Sequence, residues 1–124
     1  MNAIDDPNAS RRSGSWNGEW MRGLLPLLVM RSLHEGASYG YAISASLARC
    51  GFGGVKGGTL YPLLTRHESA GLVTTEWRPG EGGPGRKYFA LTPHGHAELD
   101  RLSGDWRSFA TTVDTFITLE GTAR

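Results

Sequence analysis

The residues best placed to do chemistry lie in one stretch, GFGGVKGGTLYPLL (Gly51 to Leu64), where five glycines, a lysine and a threonine precede an apolar run broken by Pro62. A glycine-rich loop can cradle a phosphate. The nucleotide-binding version needs its lysine directly after the loop glycine and a hydroxyl directly after the lysine, so that both reach the phosphate and its metal. Here Lys56 stands before Gly57 and Gly58, Thr59 lies three residues beyond it, and the preceding SASLARC has the character of a helix rather than a strand. That order argues against nucleotide hydrolysis. It leaves another use for the glycines, as a flexible approach to a helix N-terminus whose free amides and dipole can meet a phosphate.

Other chemistry finds less support. His94 and His96 are two residues apart, so on a helix they diverge and chelate poorly, and neither a metal nor a cofactor is assigned. Cys50 is the single cysteine and cannot form an internal disulfide; at a helix end beside glycines, it is expected to pack rather than to sense redox state. No nucleophile or acid–base pair coheres, so no enzyme is expected.

The elements that position these residues follow from periodicity and punctuation. Residues 1–16 are rich in Asp, Asn, Ser, Arg and Pro, which predicts a disordered, solvated tail that includes Arg11 and Arg12. From Trp20 to about Glu35 the text is nearly apolar all round, as in a central buried helix, with Pro26 requiring a start near Leu25 or a bend. Ser38 is an N-cap type before a second helix carrying Tyr39, Ile43, Leu47 and Cys50 on one face, and Gly51 stops it. The third helix places Leu60, Leu63, Leu64 and His67 on one stripe, with Thr59 as its expected cap, Pro62 in its first turn and Gly71 at its end. LVTTEWR and KYFAL then read as two strands around a long flexible tip, PGEGGPGR.

Thr92 and Pro93 have the types of N-cap and N1 for a last helix expected to run to Glu120. Its Leu99, Leu102, Trp106, Phe109, Val113 and Phe116 recur at intervals of three and four, a heptad seam that calls for a partner helix. The order is three helices, a hairpin and a long helix. It predicts a mostly α (α+β) winged helix-turn-helix over residues 17–92, with a dimerisation helix over 93–124.

Composition fits a soluble, single-domain chain of 124 residues: 39% hydrophobic, 20% charged, net charge +1. The longest apolar run, Leu24 to Met30, is too short to cross a membrane, and no secretory signal is visible, so a cytoplasmic setting is expected. The small net charge gives no general signal for nucleic acid. Between Gly51 and Leu91, however, Lys56, Arg66, Arg78, Arg86 and Lys87 outnumber Glu68, Glu76 and Glu81. A third helix with one leucine stripe and an outer face of Tyr61, Thr65 and, to one side, Arg66 can enter a DNA major groove.

With those residues in view, LLPLLVMRSLHEG, SYGYAI, GGTLYPLLTRHESAGLV and GGPGRKYFALTPHG, in that order, make the chain resemble the PadR family of bacterial transcriptional regulators, in its branch with a short, single C-terminal helix. The resemblance implies a homodimeric repressor on an inverted-repeat operator, often released by a small, commonly aromatic, effector. It places the DNA-facing set on Tyr39, Lys56, Thr59, Tyr61, Pro62, Arg66, Arg86 and Lys87. His67 stands where the family usually has leucine and is expected to be a buried, neutral imidazole, with a pH response as the alternative; Phe89 replaces a common tyrosine. Trp106 is read first as dimer packing, and second, with Trp20 and Phe109, as the lining of an effector pocket. Two rival readings stay open: a protein-interaction module that antagonises another regulator without touching DNA, and a ligand-binding protein with no DNA role.

Overall fold

The computed structural model describes residues 16–80 and 82–119. The elements are α1 (Gly18–Ser32), β1 (Ser38–Tyr39), α2 (Gly40–Arg49), α3 (Gly57–Ser69), β2 (Val73–Gly80), β3 (Gly83–Leu91) and α4 (Pro93–Ile117). The three strands form one antiparallel sheet in the order β1-β3-β2. This is the winged helix-turn-helix plan, α+β, with a long terminal helix.

The core is built by stripes that the helical period brings together: Leu25, Val29 and Leu33 of α1, Ile43 and Leu47 of α2, and Leu60, Leu63 and Leu64 of α3, closed by Val73 and Phe89 from the sheet. Phe89 is therefore a packing residue. α1 starts earlier than the position of Pro26 implies. Asn17 caps it, its Oδ1 accepting from the amides of Glu19 (2.9 Å) and Trp20 (3.2 Å), and Pro26 lies inside the helix. Only one side of α1 is buried, and Trp20 remains exposed. Trp16, assigned to the tail, instead donates its indole N–H to the Gly51 carbonyl at 2.8 Å. Residues 1–15, with Arg11 and Arg12, lie outside the described residues.

Several local expectations are corrected. Ser38 does not cap α2; Ser38 and Tyr39 pair with Phe89 and Tyr88 as a third strand, because the backbone before the helix is extended and within reach of β3. Cys50 is exposed, since Gly51 turns the chain away at the helix end. The turn after α2, expected as a flexible approach, takes a defined hydrogen-bonded path in the structure. Gly51 (φ 99°) and Gly53 (φ 76°) take left-handed conformations, the Phe52 amide returns to Leu47 O (2.9 Å), and Ser44 Oγ both accepts from Val55 N (2.8 Å) and donates to Val55 O (3.0 Å). The same closure ends α3. Gly71 (φ 75°) donates to Glu68 O, and Leu72 donates to His67 O, satisfying carbonyls that would otherwise be left over.

The wing is longer and more regular than PGEGGPGR suggests, because the strands continue to Gly80 and Gly83. The register slips between Arg78 and Gly80, where β3 carries one extra residue. At α4 the expected cap is present: Thr92 Oγ1 accepts from Gly95 N (2.9 Å) and donates to Gly71 O (2.6 Å), locking the helix start to the end of α3. α4 ends at Ile117 rather than Glu120, and its 25 residues span roughly 37 Å at ~1.5 Å each.

His67 is the buried polar residue of the core. Its Nε2 lies 3.1 Å from the Pro26 carbonyl, and since a carbonyl can only accept, Nε2 carries the proton of a neutral ring. Burial lowers its pKa below the ordinary 6.5, against the raising effect of the Pro26 bond; the nearby Arg66 charge lowers it further. The unfolded chain thus takes up this proton at a higher pH than the native one, so the associated stability is complete above pH ~6.5 and is lost as pH falls below it. Urea midpoints should therefore decline from about pH 7 to about pH 5, and the decline should be shallower in His67→Leu. Equal slopes in the two proteins would show that His67 does not titrate on unfolding.

Candidate nucleic-acid interface

The side chains that the sequence singles out for DNA fall into two groups. Tyr39, Tyr61, Arg86 and Lys87 line one recess of about 490 Å3, together with Gly40, Tyr41, Trp77 and Gly85. Lys56 is the N-cap of α3, and Thr59, Pro62 and Arg66 are exposed along that helix, outside the recess lining.

The recess exists because of one close approach. A Cβ on Gly40 would run into Tyr61 Oη and stand only 2.6 Å from Tyr61 Cζ, and one on Gly57 would be 3.4 Å from Tyr61 Cδ2. The Tyr61 ring is thus wedged between the first residues of α2 and α3, bringing the two helix N-termini side by side. These two helices also differ from the others in their caps. Asn17 and Thr92 satisfy first-turn amides of α1 and α4, whereas at the N-caps of α2 (Tyr39) and α3 (Lys56) no side chain does so. Thr59 is the third residue of α3 rather than its cap, and Pro62 is its sixth, beyond the first turn. The amides left uncapped, with their positive helix ends, suit an anion.

The wing closes the other side. Adjacent strand residues point to opposite faces, so Arg86 and Lys87 part company. Arg86 stacks over the Tyr39 ring (4.5 Å to the centroid), Tyr39 leans on Tyr88 (5.2 Å between centroids), and Arg78 covers Tyr88 (4.2 Å) while donating to Glu76 Oε1 (2.7 Å). Lys87 belongs to the inner face, its Nζ 5.7 Å from the centroid of Phe89. Arg86 is held in place by an aromatic ring rather than by a carboxylate, so its charge stays available to a ligand. The sequence counts Arg78 only as one of the local cations and gives no role to Trp77 or Tyr88, because the cross-strand register that sets them beside Lys87 and Arg86 is fixed by the hairpin and its bulge.

A second surface lies between α1 and α4. Trp20, Trp106 and Phe109 line a groove of about 760 Å3 with Leu24, Val113 and Ile117, and the charged groups at its walls are the carboxylates of Glu19 and Asp114. Along the heptad seam Leu99 is buried within its own chain and Leu102 is half-buried, while Trp106, Phe109, Val113 and Phe116 are exposed. Leu99 therefore belongs to the chain's own packing and has little surface left for a partner. His96 packs edge-on against His34 at 5.9 Å, and among the described residues no three metal-ligating side chains converge. No helix among them is long and apolar enough to cross a membrane.

If the contact between Gly40 and Tyr61 sets this geometry, Gly40→Ala should destabilise by roughly 1–3 kcal/mol through overpacking. The added cost should shrink when Tyr61→Ala is combined with it, a non-additivity that a double-mutant cycle of thermal or urea unfolding measures. Strict additivity would remove the wedge.

Residues 29–101 match the family described as PadR-like transcriptional regulators. Over 81 residues the chain is 36% identical to a transcriptional regulator of Mycobacterium tuberculosis, covering 65% of this chain and 74% of that protein. Among solved structures, a PadR family regulator from Eggerthella lenta is 36% identical, with a TM-score of 0.75 over 82% of this chain and 88% of its own. A PadR-like transcription factor from Bacteroides fragilis is 35% identical, with a TM-score of 0.68 over 79% and 94%. A family match across the recess, both uncapped helix starts and the wing, together with these relatives, establishes that the chain belongs to the PadR-like family of transcriptional regulators.

Proposed function

We propose that the protein is a sequence-specific DNA-binding repressor that acts as a homodimer on an inverted-repeat operator. DNA binding itself is the property of the family; the repressor role, the dimer and the residue assignments are this reading's own. The observation that carries it is the recess where two uncapped helix N-termini meet the wing, with Arg86 and Lys87 on its walls and Lys56 at the start of α3. In this arrangement α3 presents Thr59 and Tyr61 to base edges, Pro62 and Arg66 flank them, and the cations with the helix ends hold phosphates. A regulator of this kind works in the cytoplasm, where bacterial DNA is.

The dimer reading rests on the outer half of α4. Phe109, Phe116 and Ile117 are each more than 60% exposed, and Trp106 and Val113 each 40%, an apolar strip of the kind that a partner surface covers. A second copy packed there would also enclose the groove beside Trp20, Trp106 and Phe109, giving an aromatic effector a place to stack. Release of DNA would follow if the effector bound a dimer geometry that spaces the two α3 helices wrongly for successive major grooves.

A gel-shift titration with the fragment upstream of its own operon tests the reading. A shift that competitor DNA of unrelated sequence does not abolish is expected; no shift at any salt concentration would overturn it and leave the protein-interaction or ligand-binding alternative. Replacing Lys56, Arg86 or Lys87 by alanine should weaken binding to every sequence and reduce the slope of log K against log salt by about 0.9 for each phosphate no longer neutralised. Trp106→Glu should shift the protein from dimer to monomer in sedimentation; an unchanged mass would relocate the interface. Aromatic compounds that bind the groove should alter tryptophan emission and weaken the gel shift together, and an emission change without loss of binding would separate the groove from regulation.

A further inference from the structure

Trp77 has no part in the assignments above, yet its side chain is 71% exposed on the wing. Its position is set by register. Trp77 pairs with Lys87 and Thr75 pairs with Phe89, so alternation puts the Trp77 indole on the face of the sheet that carries the buried Phe89, one step beyond the edge of the core. Gly85 lies beside it, where even an added Cβ would only touch Trp77 Cε3 in ordinary van der Waals contact at 3.6 Å. The indole thereby becomes a wall of the recess that also holds Tyr61, Arg86 and Lys87.

The charge pattern of that recess is one-sided. Its lining includes two cations and no carboxylate. Glu76, the acid next to Trp77 in sequence, lies on the face opposite Trp77 and Lys87, the face it shares with Arg86, and there it is engaged by Arg78 at 2.7 Å. A large flat apolar surface beside two positive charges, at the mouth of two uncapped helices, matches a ligand that alternates anionic and apolar groups along its length.

We infer that the recess seats a segment of duplex sugar–phosphate backbone, with Lys87 drawing a phosphate from the face it shares with Trp77, Arg86 adding its charge from the rim where it stacks on Tyr39, and the Trp77 indole lying against the neighbouring deoxyribose. This rests on the DNA-binding reading above and adds a residue and a mode of contact to it. A paired, stacked base cannot lie flat on the indole, whereas the sugar is the apolar surface that a duplex exposes between phosphates. The indole N–H, a donor at the ring's edge, can reach a phosphate oxygen. Such a contact carries no base information. Trp77 thus adds affinity for any duplex and, being uncharged, displaces no counterions.

Fluorescence anisotropy with the full chain, using both a duplex of arbitrary sequence and the upstream fragment over a range of salt, tests this. Trp77→Ala should weaken both complexes by the same factor, roughly five- to tenfold, with the salt slope unchanged, whereas Lys87→Ala should lower the slope by about 0.9. Trp77→Phe should retain most of the affinity, because a flat ring remains. Addition of DNA should change the tryptophan emission of the wild-type protein by an increment that Trp77→Phe lacks, a readout that does not depend on the alanine variant's stability. The proposal is overturned if DNA binds with equal affinity to Trp77→Ala, if the emission increment is the same in Trp77→Phe, or if only the upstream fragment is weakened, which would make Trp77 a base reader. If the wild-type protein binds neither duplex, the DNA-binding reading falls and takes this seat with it.

Discussion

The contact between the Tyr61 ring and Gly40 governs how the rest of this molecule can be used. It joins a residue in the second turn of α3 to the first residue of α2, at a separation no side chain other than glycine allows. Everything on the candidate interface is referred to that point. The start of α2 is tied to the wing through β1, since Tyr39 pairs with Tyr88 in the sheet and carries the Arg86 guanidinium on its ring. The start of α3 is fixed by the glycine turn and by Ser44 gripping both polar groups of Val55. Two helix ends and a strand pair thus meet in one surface, with their positive groups on the same side as the recess.

Much of this was legible because the governing signals are periodic. The stripe of Leu60, Leu63, Leu64 and His67, the stop at Gly71 and the cap at Thr92 are each determined by a handful of adjacent residues, and a single sequence displays them. The misses share a different cause. Ser38 has the type of an N-cap and becomes a strand because β3, fifty residues later, offers it hydrogen-bonding groups; nothing local announces that. Thr59 does not cap α3 because the helix begins two residues earlier, through Gly57 and Gly58, glycines of poor helix propensity that do not announce a helix start. PGEGGPGR reads as a floppy tip by composition, while in space its glycines are where two backbones come close enough to pair. A Cβ on Gly80 would strike the Pro84 carbonyl.

The division of labour along α4 has the same long-range character. Its heptad text is continuous from Leu99 to Phe116, but only the structure shows where the chain's own packing ends and the outward-facing strip begins. Leu99 is buried within its own chain, and the aromatic seam residues from Trp106 onward are exposed. His67 shows the converse. A titratable residue on a leucine stripe implies a buried neutral ring, but its partner, the Pro26 carbonyl of α1, lies 41 residues away and no local pattern points to it.

The irregular register in the wing bears on a hazard unrelated to recognition. Among the described strands β2 pairs only with β3, so its outer edge presents backbone donors and acceptors over eight residues, a template on which a foreign strand could add. Pro79 removes one of the donors that such an intruder would need, the neighbouring slip bends the ribbon out of plane, and Glu76 and Arg78 place charges along the same strand. The residues that shape the wing therefore also guard its flank. A change that straightened this ribbon, for instance replacement of Pro79 by a β-branched residue, would exchange a solitary wing for an adhesive one.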